Sequence, residues 1–264
     1  MNELMNAMVA KDRQYNQGDT AAEVFGLDRN KHYDLLVVAP GWKPTKLLPR
    51  EFGTVTVTAV HSYNSGYEVE WAGKRIAWIQ TSSSASSLID NLSICAELDY
   101  DSLVFVGAVG GLKPGFEVGD VCTPTECVEG TMAPAYLLED PRSFRPFGKV
   151  IPANRAFIDA VVSRADIPVK RASVFCTDSI FGEYYHMDFI KSFGTDLIEM
   201  ETSAFYRLAA MLEKPAIALL VVSDNSANGE PLLGKSLEQE LRYNMGRKEH
   251  IPRLLKLICE ILNR

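Results

Sequence analysis

The stretch SLVFVGAVGG, residues 102–111, joins an apolar strand candidate to a glycine-rich turn. Its first five residues are mostly apolar, which is typical of a strand in a sheet that is covered on both faces. Further strand candidates of similar character lie at 34–39, 53–60, 74–80 and 216–222. These runs predict that a sheet forms the centre of the fold.

Helical patterns alternate with the strand candidates. Apolar residues recur at helical spacing in 84–98 and in 200–212, and an amphipathic pattern runs through 251–262. The first thirty residues are polar and receive no assignment. Because no linker or repeat interrupts the alternation, we expect one α/β domain over residues 1–264, with 1–30 as an extension of uncertain structure.

Composition limits the class of protein and of partner. The chain has 264 residues, 47% of them hydrophobic, and a formal net charge of −7. Lys and Arg are spread along the chain, so no basic surface for nucleic acid is expected. The sequence shows no apolar run of eighteen residues and no signal-peptide pattern at its start, so we expect no membrane partner and a cytoplasmic location. A small molecule is the expected substrate.

The cysteines give no sign of a disulfide framework or a metal. Their count is odd and their spacing irregular, which favours reduced thiols. Cys122 and Cys127 have no second close Cys or His pair to complete a zinc site. The glycine-rich turn also lacks the spacing of a dinucleotide site. We therefore expect neither a metal nor an organic cofactor.

Two turns after strand candidates carry groups that bind anions. Gly41, Lys43 and Lys46 lie in PGWKPTK, residues 40–46, and offer backbone N–H groups and positive charge. Ser84 lies in TSSSASS, residues 81–87, where hydroxyls meet a helix start. A solvated surface turn accounts for the first stretch and helix capping for the second, so both alternatives stay open.

Acidic residues mark two further strand and helix ends. Glu199 and Glu201 lie at the start of the helix predicted over 200–212, and Asp224 follows the most apolar strand candidate. Desolvation at such a position raises the pKa of a carboxyl, which can then donate a proton near neutral pH. A helix N-terminal charge explains Glu199 equally well, and a turn cap explains Asp224.

In combination, these motifs resemble the purine nucleoside and uridine phosphorylase family, which also contains methylthioadenosine and AMP nucleosidases. They run in order: Pro-Gly at 40–41, Gly-x-x-Gly-Gly-Leu at 107–112, Val-Gly-Asp at 118–120, Glu-Met-Glu at 199–201 and Ser-Asp at 223–224. The resemblance implies a three-layer α/β/α fold with a central mixed, partly barrel-like β-sheet. It also implies a homo-oligomer, as a dimer or a trimer of dimers.

The resemblance assigns roles to matching positions. Asp224 would protonate purine N7 as the glycosidic bond breaks. Met200 and Glu201 would bind the ribose, while Phe181 or its neighbour Ile180 would stack on the base. Gly110 and Ser223 would line the base site. The expected contacts to inorganic phosphate, the co-substrate of a phosphorylase, are Gly41, Lys43, Lys46, Ser84 and Ala108.

Departures from the family pattern leave the reaction open. Phe105 and Ala108 stand where bacterial hexameric phosphorylases have an arginine and a serine or threonine, which weakens the expected phosphate site. A hydrolase needs to place only water, yet Leu220 stands where the nucleosidases have an arginine. We expect phosphorolysis of a purine nucleoside first, with hydrolysis and a non-catalytic nucleoside-binding homologue as alternatives.

Overall fold

The computed structural model describes residues 1–262, in which ten strands form one mixed sheet. The strands are β1 (His32–Pro40), β2 (Thr54–Val60), β3 (Ser65–Trp71), β4 (Lys74–Thr81), β5 (Asp99–Gly111), β6 (Val121–Val128), β7 (Val150–Pro152), β8 (Lys170–Cys176), β9 (Leu197–Glu199) and β10 (Ala216–Asn225).

Five of these strands close on themselves. β5 pairs with β10 and β9, β10 also pairs with β6, and β8 connects β6 to β9, so the five strands form a ring. From β5 the sheet continues outward through β1, β4, β3 and β2. Nine of the ten residues of β10 are buried, because this strand lies in the ring and is covered on both sides.

Helices cover both faces of the sheet. They are α1 (Glu3–Tyr15), α2 (Thr20–Phe25), α3 (Pro44–Leu47), α4 (Ala85–Ile94), α5 (Arg155–Val162), α6 (Ile180–Tyr185), α7 (Met187–Lys191), α8 (Thr202–Leu212), α9 (Leu237–Met245) and α10 (Ile251–Ile261). Across residues 1–262, no helix is both long and apolar enough to cross a membrane.

Strand alternation divides the core into two layers. Along β1, Leu36 and Val38 pack into one apolar cluster with α4 and α8, whereas Leu35 and Val37 pack into another with α5 and α10. Successive side chains of a strand point to opposite faces, so one strand supplies both clusters. The expected three-layer α/β/α fold with a partly barrel-like sheet is confirmed.

The structure revises several boundaries. The glycine-rich segment, predicted as a turn, is strand up to Gly111, because Gly110 and Gly111 pair with β9 on one side and β10 on the other. The helix predicted over 84–98 ends at Ile94, and the one predicted over 200–212 begins at Thr202. The unassigned first thirty residues form α1 and α2, which Asn2 and Asp19 cap.

Candidate active site

A cavity of about 200 Å³ lies where the carboxyl ends of β1, β5 and β10 meet. We call it the site cavity, and its walls include Pro40 from β1, Gly107 to Gly110 from β5 and Asp224 from β10. The segment Ile198–Glu201 and helix α6 close its other sides. Parallel strands place their carboxyl ends at one edge of a sheet, which is where ligands collect in α/β folds.

The two acids singled out in the sequence line this one cavity. Glu201 is the residue before α8, and Asp224 is the next-to-last residue of β10. The topology brings them together because β9, which leads into α8, and β10 both pair with β5. Met200, Gly110, Ser223 and Ala108 are also in the cavity wall.

Glu199 fixes the start of α8 and, through it, the position of Glu201. Its carboxylate accepts hydrogen bonds from the backbone N–H groups of Glu201 at 2.7 Å and Thr202 at 2.9 Å. The Cys176 thiol on β8 donates to the same carboxylate at 2.8 Å. These donors include N–H groups that a helix start leaves without partners, so the interpretation of Glu199 as a helix N-terminal charge agrees with the structure.

The carboxyl of Glu201 has an unused acceptor. Its Oε1 atom is buried and has no hydrogen-bond partner within residues 1–262. Burial, followed by the neighbouring charge of Glu199, raises the pKa of Glu201 well above its usual value. Leaving a buried polar atom unpaired is unfavourable, so this oxygen is suited to accept a hydrogen bond from a hydroxyl of a ligand.

A β-bulge in β10 and a glycine in β5 determine where the Asp224 side chain lies. The pairing of β10 with β5 shifts by one residue between Val222 and Asp224. Such a bulge bends a strand and re-aims a side chain. Opposite lies Gly110, where an added Cβ would come within 3.2 Å of Asp224 Oδ2. A residue with a side chain at 110 would therefore press on the acid.

Asp224 has the electrostatics of a proton donor. Burial raises its pKa, and Glu230 adds to this effect, while a hydrogen bond from Ser223 and the charge of Lys235 oppose it. The Ser223 hydroxyl donates to Oδ1 at 2.5 Å. The net result is a raised pKa, so a larger share of the carboxyl carries a proton near neutral pH than in water.

Glu183 is an acid in the site cavity that the sequence analysis did not single out. It lies on α6, and burial together with the charge of Asp224 raises its pKa to about 7. Its only sequence signal is its spacing of three residues from Ile180, which places both side chains on one helix face. That signal becomes informative only once the helix is known to border the cavity.

The two candidate base-stacking residues do not both line the site cavity. Ile180 lines the site cavity, whereas Phe181 is 91% exposed and does not. Phe181 instead lines an adjoining outer cavity, which α6 forms with the segment 226–233. Of the alternatives, Ile180 is thus the residue placed to contact a ligand in the site cavity, and its stacking role stays a prediction.

The expected phosphate-binding residues are only partly in place. Of the five, Ala108 lines the site cavity, whereas Gly41, Lys43, Lys46 and Ser84 lie outside its wall. Lys46 is exposed on the short helix α3. Ser84 caps α4 by accepting the N–H of Ser87 at 3.1 Å, which is the capping alternative. Neighbours from the same turns, Trp42 and Ser83, line the cavity in their place.

A cation that the sequence analysis missed stacks on Trp42, which lines the site cavity. The guanidinium of Arg247 lies 4.7 Å from the centre of the Trp42 ring and 5.2 Å from that of Tyr243. Its Nε is buried without a hydrogen-bond partner in the described chain. Stacking of this kind holds arginine in a fixed orientation. More than two hundred residues separate Arg247 from Trp42, so no local motif could have linked them.

Within residues 1–262, one group of three side chains has a spacing that could hold a metal ion. It consists of His32, Asp34 and Asp101. These residues lie at the amino ends of β1 and β5, opposite the site cavity. Lys74 already pairs with Asp34 at 3.1 Å. The group is therefore separate from the candidate chemistry.

The comparisons with known proteins agree with this geometry. A family model described as the phosphorylase superfamily matches residues 35–251. The chain belongs to the phosphorylase superfamily. The predicted family is thus confirmed, and with it the prediction that the chain is an enzyme.

Relatives within the superfamily include several purine nucleoside phosphorylases. The DeoD-type enzyme of Brevibacillus brevis is 28% identical over 169 residues, which cover 62% of this chain and 70% of the relative. The DeoD-type enzyme of Bacillus subtilis is 26% identical over 172 residues, with the same two coverages.

Solved structures of three activities share the fold. A purine nucleoside phosphorylase of Toxoplasma gondii, in complex with immucillin-H, has a TM-score of 0.67 at 18% identity and covers 88% of this chain and 92% of its own. A Campylobacter jejuni methylthioadenosine/S-adenosylhomocysteine nucleosidase has a TM-score of 0.69 at 16% identity and covers 86% and 99%. A Vibrio fischeri uridine phosphorylase has a TM-score of 0.65 at 15% identity and covers 89% and 93%. At these identities the likeness establishes the fold alone.

Proposed function

We propose that this protein cleaves the N-glycosidic bond of a purine nucleoside by phosphorolysis, which yields the free base and ribose 1-phosphate. The proposal depends on the observation that Glu201 and Asp224 line one cavity and that the pKa of each carboxyl is raised. Glu199 holds the backbone of Glu201 in place, and the Ser223 hydroxyl bonds to Asp224. Inorganic phosphate is the co-substrate, and no other cofactor is proposed.

The chemistry assigns the two acids to different parts of the substrate. As the bond from ribose to base lengthens, the sugar becomes positively charged and the base gains negative charge. Asp224 donates a proton to N7 of the purine, which stabilises the leaving base. Glu201 accepts hydrogen bonds from the ribose hydroxyls through its unpaired Oε1, and Met200 packs beside the sugar.

Several groups favour phosphate as the nucleophile. Ser83 lies in the cavity wall, and its hydroxyl can donate a hydrogen bond to an anion. Arg247 adds positive charge 4.7 Å from the centre of the Trp42 ring, which lines the cavity. The segments aligned with the two bacterial relatives cover about 70% of each relative, and both relatives are named purine nucleoside phosphorylases.

Hydrolysis is the second candidate, and one observation favours it. Among the described residues that line the site cavity, none is Lys or Arg. A water molecule needs no such charge, whereas phosphate usually receives it from arginine or lysine. The non-catalytic alternative is disfavoured because both acids are present in the cavity.

A substrate panel tests the proposal. Purified protein is incubated with inosine, adenosine, guanosine, uridine, methylthioadenosine and AMP, each with and without inorganic phosphate, and the free base is measured. Base release from purine nucleosides only with phosphate supports phosphorolysis. Release regardless of phosphate identifies a hydrolase, and no release from any compound contradicts both.

A further inference from the structure

The thiol of Cys176 lies where two walls of the site cavity begin. Cys176 is the last residue of β8 and stands directly opposite Glu199, the last residue of β9. The segments that follow these two residues in the chain both line the cavity. Cys176 itself is fully buried and does not line the cavity. Any effect of this residue on a ligand must therefore pass through its neighbours.

Two hydrogen bonds connect the Cys176 sulfur to the start of α8. The S–H group donates to Glu199 Oε1 at 2.8 Å, and the sulfur accepts the backbone N–H of Ser203 at 3.3 Å. Burial, followed by a hydrogen bond with the Cys127 thiol and by the charge of Glu199, raises the pKa of Cys176 well above its usual value. The sulfur therefore keeps, near neutral pH, the proton that it donates, and it acts as donor and acceptor at once.

Glu199 transmits this contact to Glu201. The Glu199 carboxylate also accepts the backbone N–H groups of Glu201 and Thr202. Together with the bond from Ser203 to Cys176, the N–H groups of three consecutive residues at the start of α8 are held by two side chains. A helix start leaves such donors without partners inside the helix. Cys176 and Glu199 thus form one cap, which fixes the backbone that carries the Glu201 carboxyl.

We propose that Cys176 is a positioning residue for sugar binding, whose thiol completes the cap of α8 and thereby holds Glu201 against the ribose. The inference rests on the proposed function, because the ribose is assigned to Glu201 there. The buried Oε1 of Glu201 has no partner within residues 1–262, and a hydrogen bond to it weakens steeply with poor geometry. A loosened cap should therefore weaken contacts to the sugar and spare contacts to the base, which are assigned to Asp224.

Serine and alanine at position 176 form a matched pair, because they differ by one hydroxyl group, which both donates and accepts. Calorimetry gives the Kd of 9-deazainosine and of its free base, 9-deazahypoxanthine. The carbon–carbon link between ribose and base in 9-deazainosine is not cleaved, so binding is measured without turnover. Cys176→Ala should weaken binding of 9-deazainosine about fivefold, the effect of one hydrogen bond, with the Kd of the free base unchanged. Cys176→Ser should bind both compounds like the parent.

A double-mutant cycle tests whether Cys176 acts through Glu201. In a Glu201→Gln background, Cys176→Ala should leave the Kd of 9-deazainosine almost unchanged, because the sugar contact is already weakened and the two effects are coupled. The matched control is Cys122→Ala, which alters a buried cysteine of β6 outside the cap and should keep the parent Kd for both compounds. Thermal denaturation checks that each variant is folded. If Cys176→Ala does not fold, Cys176→Val, which fills the space but has no donor, takes its place.

Equal losses for 9-deazainosine and for the free base would overturn the inference. So would a parent-like Kd for Cys176→Ala, a serine variant that follows the alanine variant, an additive loss in the cycle, or no binding of 9-deazainosine. A sugar-selective loss in a protein that cleaves no nucleoside would leave the inference standing and reject the proposed function. Cleavage of nucleosides together with a loss that is not sugar-selective would reject the inference alone.

Discussion

Replacing Asp224 by alanine should remove the proton donor of the proposed reaction. A general acid contributes about 10² to 10⁴-fold to a rate, which corresponds to a barrier increase of about 3 to 5 kcal/mol. The raised pKa of Asp224 increases its protonated fraction near neutral pH, and we expect turnover of inosine to fall about 10³-fold without this residue. Ser223 would remain in the wall but has no proton of comparable acidity to give.

Asp224→Asn tests whether the loss of rate comes from the missing proton or from a change in the shape of the cavity. Asparagine has almost the volume of aspartate and can still accept the Ser223 hydrogen bond, but it cannot release a proton to the base. We therefore expect a loss close to that of Asp224→Ala. If the loss in the alanine variant came from an altered cavity, asparagine would restore most of the rate.

The pH profile provides an independent readout of the same prediction. A general acid acts in its protonated form. The rate of the parent protein should therefore be at its maximum below the raised pKa of Asp224 and should fall as the pH rises through that pKa. The residual rate of Asp224→Asn should lack this descending limb. The assay is steady-state release of base from inosine with phosphate between pH 5 and pH 9, and near-parent turnover by either variant would refute the assignment.

Three further variants test the surroundings of the acid pair. Glu201→Gln should raise the KM for inosine about tenfold, since the amide replaces one carboxyl oxygen with an NH₂ group that cannot accept a hydrogen bond, and unchanged kinetics would show that the ribose is held elsewhere. Gly110→Ala should lower kcat, because its Cβ would lie 3.1 Å from Ile198 Cγ2 and 3.2 Å from Asp224 Oδ2, both in the cavity wall; parent kcat would contradict the proposed crowding. Arg207→Met leaves the fully buried Glu129 without its 2.8 Å ion-pair partner, so urea denaturation should show a loss of about 3 kcal/mol, and equal stability would contradict this.

Much of the fold could be predicted from local pattern. The apolar runs that became β1, β4, β5 and β10 are buried on both faces, so hydrophobicity alone marks them. Because glycine is common in turns, the local pattern of the glycine segment predicts a turn. Pairing on both sides made it a strand instead, and pairing partners distant in the chain leave no local signal.

The candidate site could also be predicted only in part from local sequence patterns. Glu201 and Asp224 were found because each stands in a motif at the end of an element. The wall that surrounds them was less predictable: Ser83 lines the cavity where Ser84 was expected, since Ser84 is used to cap α4. One residue of displacement around a helix start changes which way a side chain points.

The amino-acid order was enough to give the class of fold, the family and the two acids, because those depend on residue type and short-range spacing. Tertiary structure alone brought Glu183 beside Asp224 and placed Arg247 on Trp42. It also set the protonation of the site, since the pKa of a carboxyl depends on burial and on neighbouring charges that come from distant parts of the chain. Burial and proximity arise only when the sheet closes, and no local pattern encodes them.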